Sequence, residues 1–195
     1  MTDPHALDMG RLGPWLRAHL PDVSGEVSAE KFSGGQSNPT YAIKLDGVPR
    51  YVLRKKPPGV LLPSAHAVER EYQVTNALKD TDVPVARPYA LCEDPEIVGT
   101  PFFIMQFAGG RNFWDARLPG MTPAERAAIY DEMNRVLAAL HKVDPAAVGL
   151  SDFGKPGDYF GRQVGRWTKQ YRATETGTIE AMERLIEWLP ANNPG

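Results

Sequence analysis

A loop with two adjacent glycines is followed closely by a strand that ends in three consecutive basic residues. The loop covers residues 31–41, and the basic residues are Arg54, Lys55 and Lys56. Glycine lets a backbone approach a ligand closely, so the amide groups of such a loop can face phosphate oxygens. A glycine pair between strands also commonly marks only a turn. The residues expected around a phosphate group are Ser33, Gly34, Gly35, Gln36, Ser37 and Asn38.

Strand alternation decides which of the basic side chains can meet a partner. It puts Arg54 and Lys56 on one face of the strand and Lys55 on the other. Arg54 follows three apolar residues, so its charge is expected to be partly buried and to need a partner. On the next predicted helix, Glu71 lies on the inward face and Glu69 to its side. We therefore expect a pair between Arg54 and Glu71 with the guanidinium also reaching phosphate; the alternative is a salt bridge at the sheet edge.

The elements that must position these residues follow from periodicity and turn signals. Asp46-Gly47 is a strong hairpin signal. The predicted elements of this first part are a helix over residues 8–20 that Pro14 interrupts, strands over residues 30–56 with the hairpin turn, a helix capped by Ser64 and ending near Leu78, and strands over residues 89–93 and 102–107 joined around residues 94–96.

The second half of the chain is predicted to be helical. Gly109 and Gly110 break the strand pattern and mark the best lobe boundary, and Thr122 with Glu125 forms a capping box. Pro190 is expected to end the last helix. The apolar residues expected to point inward from the helix after the capping box are Ile129, Met133, Val136, Leu137 and Leu140.

Composition narrows the class of protein. The 195 residues are 42% hydrophobic, which allows a packed core. The net charge of −2 gives no general attraction to nucleic acid or to an anionic membrane, and no apolar run is long enough to span a bilayer. Cys92 is the only cysteine, so no disulfide can form within the chain. These features predict a soluble, cytoplasmic protein.

The order of these features resembles the aminoglycoside phosphotransferase and choline kinase-like family, and it is most similar to the branch associated with acyl-CoA dehydrogenases. The resemblance implies an α+β, protein kinase-like fold. It implies a complete small lobe, an antiparallel sheet plus a helix, over residues 1–108 and the first helices of an incomplete large lobe over residues 109–195. The segments that carry it are residues 32–38, 51–59, 66–72, 102–111, 140–144, 167–171 and 187–190.

The resemblance also implies a nucleotide site. The loop of residues 33–38 would cover the phosphates of ATP, and Arg54 would stand where such kinases place a basic residue, usually lysine, on the third strand. Glu71 would be its helix partner. The hinge, residues 105–108, would meet the adenine edge through its backbone, while two residues of the sheet pack on the adenine faces. The residues of this adenine site are Ile43, Val52, Met105, Gln106 and Phe107.

The implied reaction is ATP-dependent phosphate transfer to a hydroxyl group of a small molecule, with a hydroxyacyl-CoA suggested by the closest branch and Mg²⁺ as the metal. The family's catalytic loop reads His-Gly-Asp, and its metal-binding aspartate follows in a later strand. No histidine here is followed by Gly-Asp. We therefore expect neither catalytic nor metal-binding residues in this chain, and little turnover. Asp152-Phe153-Gly154 matches a kinase metal motif as a string, but the preceding interval is too short for the strand pair that should separate it from a catalytic loop.

Two interpretations stay open. The chain is either the N-terminal part of a small-molecule phosphotransferase that stops before its catalytic loop, or a non-catalytic nucleotide-binding module or half of a split enzyme completed by another chain. The expected partner is a missing C-terminal segment or a fused or associated acyl-CoA dehydrogenase. The DNA after the codon for Gly195 distinguishes truncation from a split enzyme, because only truncation leaves a continuing reading frame that encodes His-Gly-Asp.

Overall fold

The computed structural model describes residues 6–33, 38–59 and 66–193. Contacts divide the chain into two compact units, residues 1–149 and 150–195, and the predicted boundary near Gly109 stays a prediction. No helix in the described ranges is long and apolar enough to cross a membrane. The elements are α1 (Met9–His19), β1 (Val27–Lys31), β2 (Thr40–Leu45), β3 (Val48–Lys55), α2 (Val68–Leu78), β4 (Pro88–Cys92), α3 (Pro95–Val98), β5 (Phe102–Gln106), α4 (Pro123–Lys142), α5 (Tyr159–Thr174) and α6 (Glu180–Ala191).

The five strands form one antiparallel sheet in the order β1-β2-β3-β5-β4. The predicted hairpin is confirmed, since Asp46 and Gly47 join β2 to β3 with φ angles of 49° and 80°. Two consecutive positive φ angles are typical of the turn whose twist matches that of the flanking strands. In this strand order β3 lies at the centre of the sheet, and its two neighbours β2 and β5 fix its register.

Helix α1 packs on one face of the sheet and builds the main core. Leu12 and Leu16 are completely buried there together with Ile43, Leu53 and other residues of the strands. Pro14 lies inside α1 and does not interrupt it, contrary to the prediction. Proline removes one backbone hydrogen bond, but the buried leucines on both sides of it hold the helix against the sheet.

Helix α2 packs on the opposite face. The ring of Tyr72 meets the ring of Phe103 edge to face at 6.1 Å, and Phe103 is the register partner of Arg54 in β3. Val68, the first residue of α2, is fully buried. The predicted cap Ser64 lies outside the described residues, and the helix begins four residues after it. This arrangement brings α2 over the strand face that carries Arg54.

The connection between β4 and β5, which the sequence analysis placed around residues 94–96, contains the short helix α3. The Asp94 side chain accepts a hydrogen bond from the Glu96 amide at 2.9 Å and begins the helix, and Gly99 ends it with a φ of 84°. Glycine suits this position because it adopts the left-handed region at little cost. The carbonyl of Val98 at the end of α3 faces the sheet and becomes a partner of Lys55.

The three long helices after the sheet leave their apolar residues largely uncovered. The capping box at the start of α4 is confirmed, but no residue of α4 is buried, so the predicted inward packing of its apolar residues is wrong for this chain. Leu137 is 51% exposed. In the second unit, α5 packs on α6, and Pro190 lies inside α6 and does not end it. An amphipathic sequence alone does not show what covers its apolar face.

A matched pair of leucine substitutions tests this account of the core. Leu16→Ala removes a fully buried side chain of α1, and we expect it to lower the free energy of unfolding by about 2–5 kcal/mol through lost burial and an unfilled cavity. Leu137→Ala makes the same chemical change on the exposed face of α4 and should cost less than about 1 kcal/mol. Urea unfolding measures both, and similar losses would contradict the assignment of the core.

Candidate functional site

Arg54 and Glu71 form a two-pronged ion pair between β3 and α2, as the sequence predicted. The Arg54 Nε donates to Glu71 Oε2 at 2.5 Å, and Nη2 donates to Oε1 at 3.3 Å. The two side chains are 27% and 38% exposed. A guanidinium matches a carboxylate in this planar arrangement, which fixes its orientation more firmly than a single contact would.

The guanidinium of Arg54 keeps donors for a further ligand. Its Nη1 donates to Thr40 Oγ1 at 3.1 Å, since Thr40 lies beside it in β2. A guanidinium has five N–H groups. Within the described ranges three of them are donated to Glu71 and Thr40. Among these residues, the other two N–H groups of this partly exposed side chain have no acceptor.

Asn38, at the end of the glycine-containing loop, is bound into the same cluster. It is 3% exposed, its Nδ2 donates to Glu71 Oε1 at 2.9 Å, and its Oδ1 lies 2.9 Å from His66 Nδ1. The sequence predicted Asn38 as a donor to phosphate, and the structure shows it donating to Glu71. His66 was not predicted, because no periodic pattern links it to the strands.

The other loop residues predicted to face phosphate are described only in part. Ser33 is exposed at the end of the segment that follows β1. Gly34, Gly35, Gln36 and Ser37 lie outside the described residues, so their contact with phosphate stays a prediction.

A second ion pair, which the sequence analysis did not predict, lies beside the first. Lys56 Nζ donates to Glu69 Oε1 at 2.8 Å. Burial alone would raise the pKa of Glu69, but the hydrogen bonds from Lys56 and from its own backbone and the charges of Lys56 and Arg70 outweigh it, so the pKa lies below its ordinary value. The signal was present in the sequence, since Lys56 shares the strand face of Arg54 and Glu69 stands two residues before Glu71.

Lys55 lies on the opposite face and has a different environment from its two neighbours. Only 3% of it is exposed, and its Nζ donates to the Val98 carbonyl at 2.7 Å. Burial lowers the pKa of this amine. The three consecutive basic residues therefore divide into two that pair with α2 and one that is buried against α3.

The predicted adenine residues do not all share one face. Val52 pairs with Met105 in β5 and with Ala42 in β2, on the face that carries Arg54. Ile43 pairs with Tyr51 and is completely buried on the α1 side, so it cannot pack on the same ligand as Val52. The sequence analysis assigned the adenine contact in β2 to Ile43, one position after Ala42, because the register of the hairpin was not known. Ala42 occupies the place opposite Val52.

The predicted hinge residues are partly engaged within the protein. The amide of Gln106 donates to the Arg87 carbonyl at 2.8 Å, and the amide of Phe107 donates to the Arg50 carbonyl at 3.2 Å. Gln106 pairs with Tyr51 and thus lies on the α1 side of the sheet. A ligand that binds at the hinge therefore has to form its hydrogen bonds with backbone groups other than these two amides.

A metal centre is absent from the described part of the chain. No group of three or more His, Cys, Asp or Glu residues there is arranged to hold a metal ion. Asp152 lies in a turn before α5.

Comparison with known proteins shows the family. The sequence model of the phosphotransferase enzyme family (APH) matches residues 28–195, which is most of the chain. The chain belongs to this family. Its antiparallel five-stranded sheet with helices is the kinase-like, α+β fold of its structural neighbours. The predicted resemblance and fold class are confirmed.

Two solved structures are similar to this phosphotransferase family member. A candidate aminoglycoside phosphotransferase from Ralstonia eutropha superimposes with a TM-score of 0.80 and 53% identity, over 97% of this chain and 54% of its own. The aminoglycoside phosphotransferase APH(2″)-IIIa, solved with GDP and kanamycin, has a TM-score of 0.53 at 12% identity, over 90% of this chain and 55% of its own. The second likeness concerns the fold alone.

Two curated relatives are much longer proteins. Acyl-CoA dehydrogenase family member 10 of Mus musculus is 53% identical over 97% of this chain, which spans 18% of the relative. The probable acyl-CoA dehydrogenase IBR3 of Arabidopsis thaliana is 47% identical over 90% of this chain, which spans 22% of the relative. Homologues of the branch named in the sequence analysis thus contain a phosphotransferase domain as a minor part.

The Glu69–Lys56 pair makes a prediction about stability and pH. Because the folded pKa of Glu69 is lowered, its pairing stabilises the fold above the unfolded value of about 4.5 and is lost as the pH falls through the folded value. Glu69→Gln should therefore lose less stability than wild type between pH 7 and pH 3.

The control is Glu93→Gln, the same change at an exposed position after β4. The free energy of unfolding of Glu93→Gln, measured with urea at both pH values, should fall by as much between pH 7 and pH 3 as that of wild type. If Glu69→Gln and wild type lose equal stability on acidification, the pair does not hold Glu69 ionised.

Proposed function

We propose that this chain carries the nucleotide-binding part of an ATP-dependent small-molecule phosphotransferase. The observation that supports it most is the Arg54 guanidinium, held by Glu71 and Thr40 with two N–H groups left over. A cation that is oriented before the ligand arrives binds a phosphate group without first having to be ordered. The family match supports ATP as the phosphate donor.

In this proposal the phosphates lie at Arg54, between α2 and the loop of residues 33–38. Adenine lies further along the same strand face, between Val52, Ala42 and Met105. Because the amides of Gln106 and Phe107 are donated within the protein, the adenine edge would meet the backbone of Ala108 or the carbonyls of the hinge. Residues 1–108 would then form the small lobe, and residues 109–195 would begin the large lobe.

The chemical step needs groups that the described residues do not provide. Phosphoryl transfer requires an oriented acceptor hydroxyl and neutralisation of the charge that develops on the phosphate, which kinases achieve with an aspartate and metal ions. None of the histidines of this chain is followed by Gly-Asp. We therefore expect the chain by itself to bind nucleotide without transferring phosphate at a measurable rate.

The relatives support a hydroxyacyl-CoA as the acceptor of the complete enzyme. The mouse and plant relatives are both acyl-CoA dehydrogenase family proteins, and this chain corresponds to a small share of each. A hydroxyl-bearing acyl-CoA is a chemically suitable phosphate acceptor, and a dehydrogenase linked to the same chain would act on the same class of carrier. We propose a cytoplasmic location as well, on the basis of the single Cys92 and the charge pattern.

A non-catalytic nucleotide-binding module, or one half of a split enzyme, is the second candidate function. The observation that favours it is again the missing Gly-Asp after each histidine. Neither candidate predicts transfer by this chain alone, so a phosphotransfer assay with ATP and 3-hydroxyacyl-CoA separates them only when a large-lobe segment is supplied. Recovery of transfer on adding a separately encoded large-lobe chain would favour a split enzyme.

Calorimetry with Mg-ATP tests the nucleotide site. Arg54→Ala should weaken binding about 10- to 100-fold, since it removes charged hydrogen bonds to phosphate and leaves Glu71 without its main partner. Gly35→Val should weaken it too, because the loop backbone could no longer approach the phosphates.

The matched control is Arg50→Ala, which removes the same charge from an exposed position on the same strand. It should leave the affinity within about twofold, as expected for a screened surface charge. Equal affinity of wild type and Arg54→Ala, or no binding by any of the proteins, would reject the proposed site.

A further inference from the structure

Both polar atoms of the buried Asn38 side chain have a partner. Its Nδ2 meets Glu71, its Oδ1 meets His66, and its backbone carbonyl accepts from Thr40 Oγ1 at 3.0 Å. Only 3% of the residue is exposed, so a lost partner would leave a polar atom buried and unpaired. Such an atom costs more than an ordinary surface hydrogen bond contributes. The amide group is therefore held in one orientation.

The orientation of this amide decides the proton on His66. An ionised carboxylate only accepts hydrogen bonds, so the NH₂ of Asn38 must face Glu71 and the carbonyl oxygen must face His66. A carbonyl oxygen only accepts as well. The Nδ1 of His66 therefore has to carry a proton.

The backbone at His66 places the ring for this contact. His66 has a φ of 58°, in the left-handed region that residues other than glycine seldom adopt. Its carbonyl accepts from the amide of Val68 at 2.9 Å, which ties it to the start of α2. A residue kept in this region at some cost in conformational energy indicates that its position is specified by its surroundings.

We propose that His66 is a positioning residue that fixes the Asn38 amide and, through it, the Glu71–Arg54 pair. Glu71 Oε1 accepts from both Asn38 Nδ2 and Arg54 Nη2, so a half-turn of the amide would replace one of these donors with the Asn38 carbonyl oxygen, which cannot donate to the carboxylate. Asn38 directly follows residues 34–37, and His66 stands two residues before the start of α2, so the contact links the end of the loop to the helix that holds Arg54. The consequence for ATP affinity rests on the proposed function; the positioning role does not.

The tautomer of His66 is the first test. Nitrogen and carbon NMR of the histidine-labelled full chain should show the His66 ring with its proton on Nδ1, with the signal assigned by its loss in His66→Asn. A proton on Nε2 with Nδ1 bare would overturn the inference, and this measurement on the wild-type protein requires no variant to fold.

Two variants test the positioning role itself. Asparagine and glycine both tolerate the left-handed backbone, but only asparagine brings a side-chain N–H close to the place of Nδ1. The readout is the Nε–H resonance of Arg54, assigned by its loss in Arg54→Ala. His66→Asn should keep it at its wild-type position, and His66→Gly should move it toward that of a solvent-exposed arginine. An unchanged resonance in His66→Gly would overturn the proposal.

Mg-ATP calorimetry on the same proteins separates this inference from the proposed function. His66→Gly should bind about tenfold more weakly than wild type, as expected when one buried hydrogen bond is lost from a charged network, and His66→Asn should stay within about twofold. If wild type binds no ATP while the NMR results hold, the nucleotide function is rejected and the positioning role stands. If ATP binds but both variants have wild-type affinity, the positioning role has no effect on binding and that part of the proposal is rejected.

Discussion

The alternation of side chains along β3 is the constraint on which the rest of this structure depends. Because β3 lies at the centre of the sheet, Arg54 and Lys56 must point to one face and Lys55 to the other. Each buried or half-buried cation then requires a partner on its own side. Helix α2 supplies carboxylates to the first two, and the end of α3 supplies a carbonyl to the third. The two helices are thus joined to the sheet by charge as well as by apolar packing.

The same constraint explains why the candidate site is on the α2 side. Helix α1 fills the other face with leucines and leaves no room for a ligand near Leu53 or Ile43. On the α2 side, the ion pairs keep Arg54 partly exposed while they fix its direction. Asn38 adds a neutral contact to Glu71 and Thr40 adds one to the guanidinium, and among the described residues two N–H groups of the guanidinium have no acceptor. A charged group that is oriented and still accessible is what recognition of an anion requires.

The parts of the site that follow from local periodicity were predicted from the sequence. Strand register, contacts between residues far apart in the chain and the packing partner of a helix face were not. The Arg54–Glu71 pair followed from strand alternation and helix spacing, and the hairpin followed from Asp46-Gly47. The choice of Ile43 failed because a one-residue change of register exchanges the two faces of a strand. His66 lies 28 residues from Asn38, and no local pattern connects them. Inward packing of Met133 and Leu137 in α4 failed because amphipathicity predicts a covered face without saying what covers it.

The most direct test of the central claim is a crystal structure of this chain grown with a non-hydrolysable ATP analogue. The account predicts that a phosphate oxygen lies about 3 Å from the Arg54 guanidinium while the Glu71 contact stays in place. It also predicts that adenine lies on the Val52 face of the sheet. An analogue bound with its phosphates away from Arg54, or an Arg54 side chain turned from Glu71 to solvent when the analogue is bound, would contradict the account.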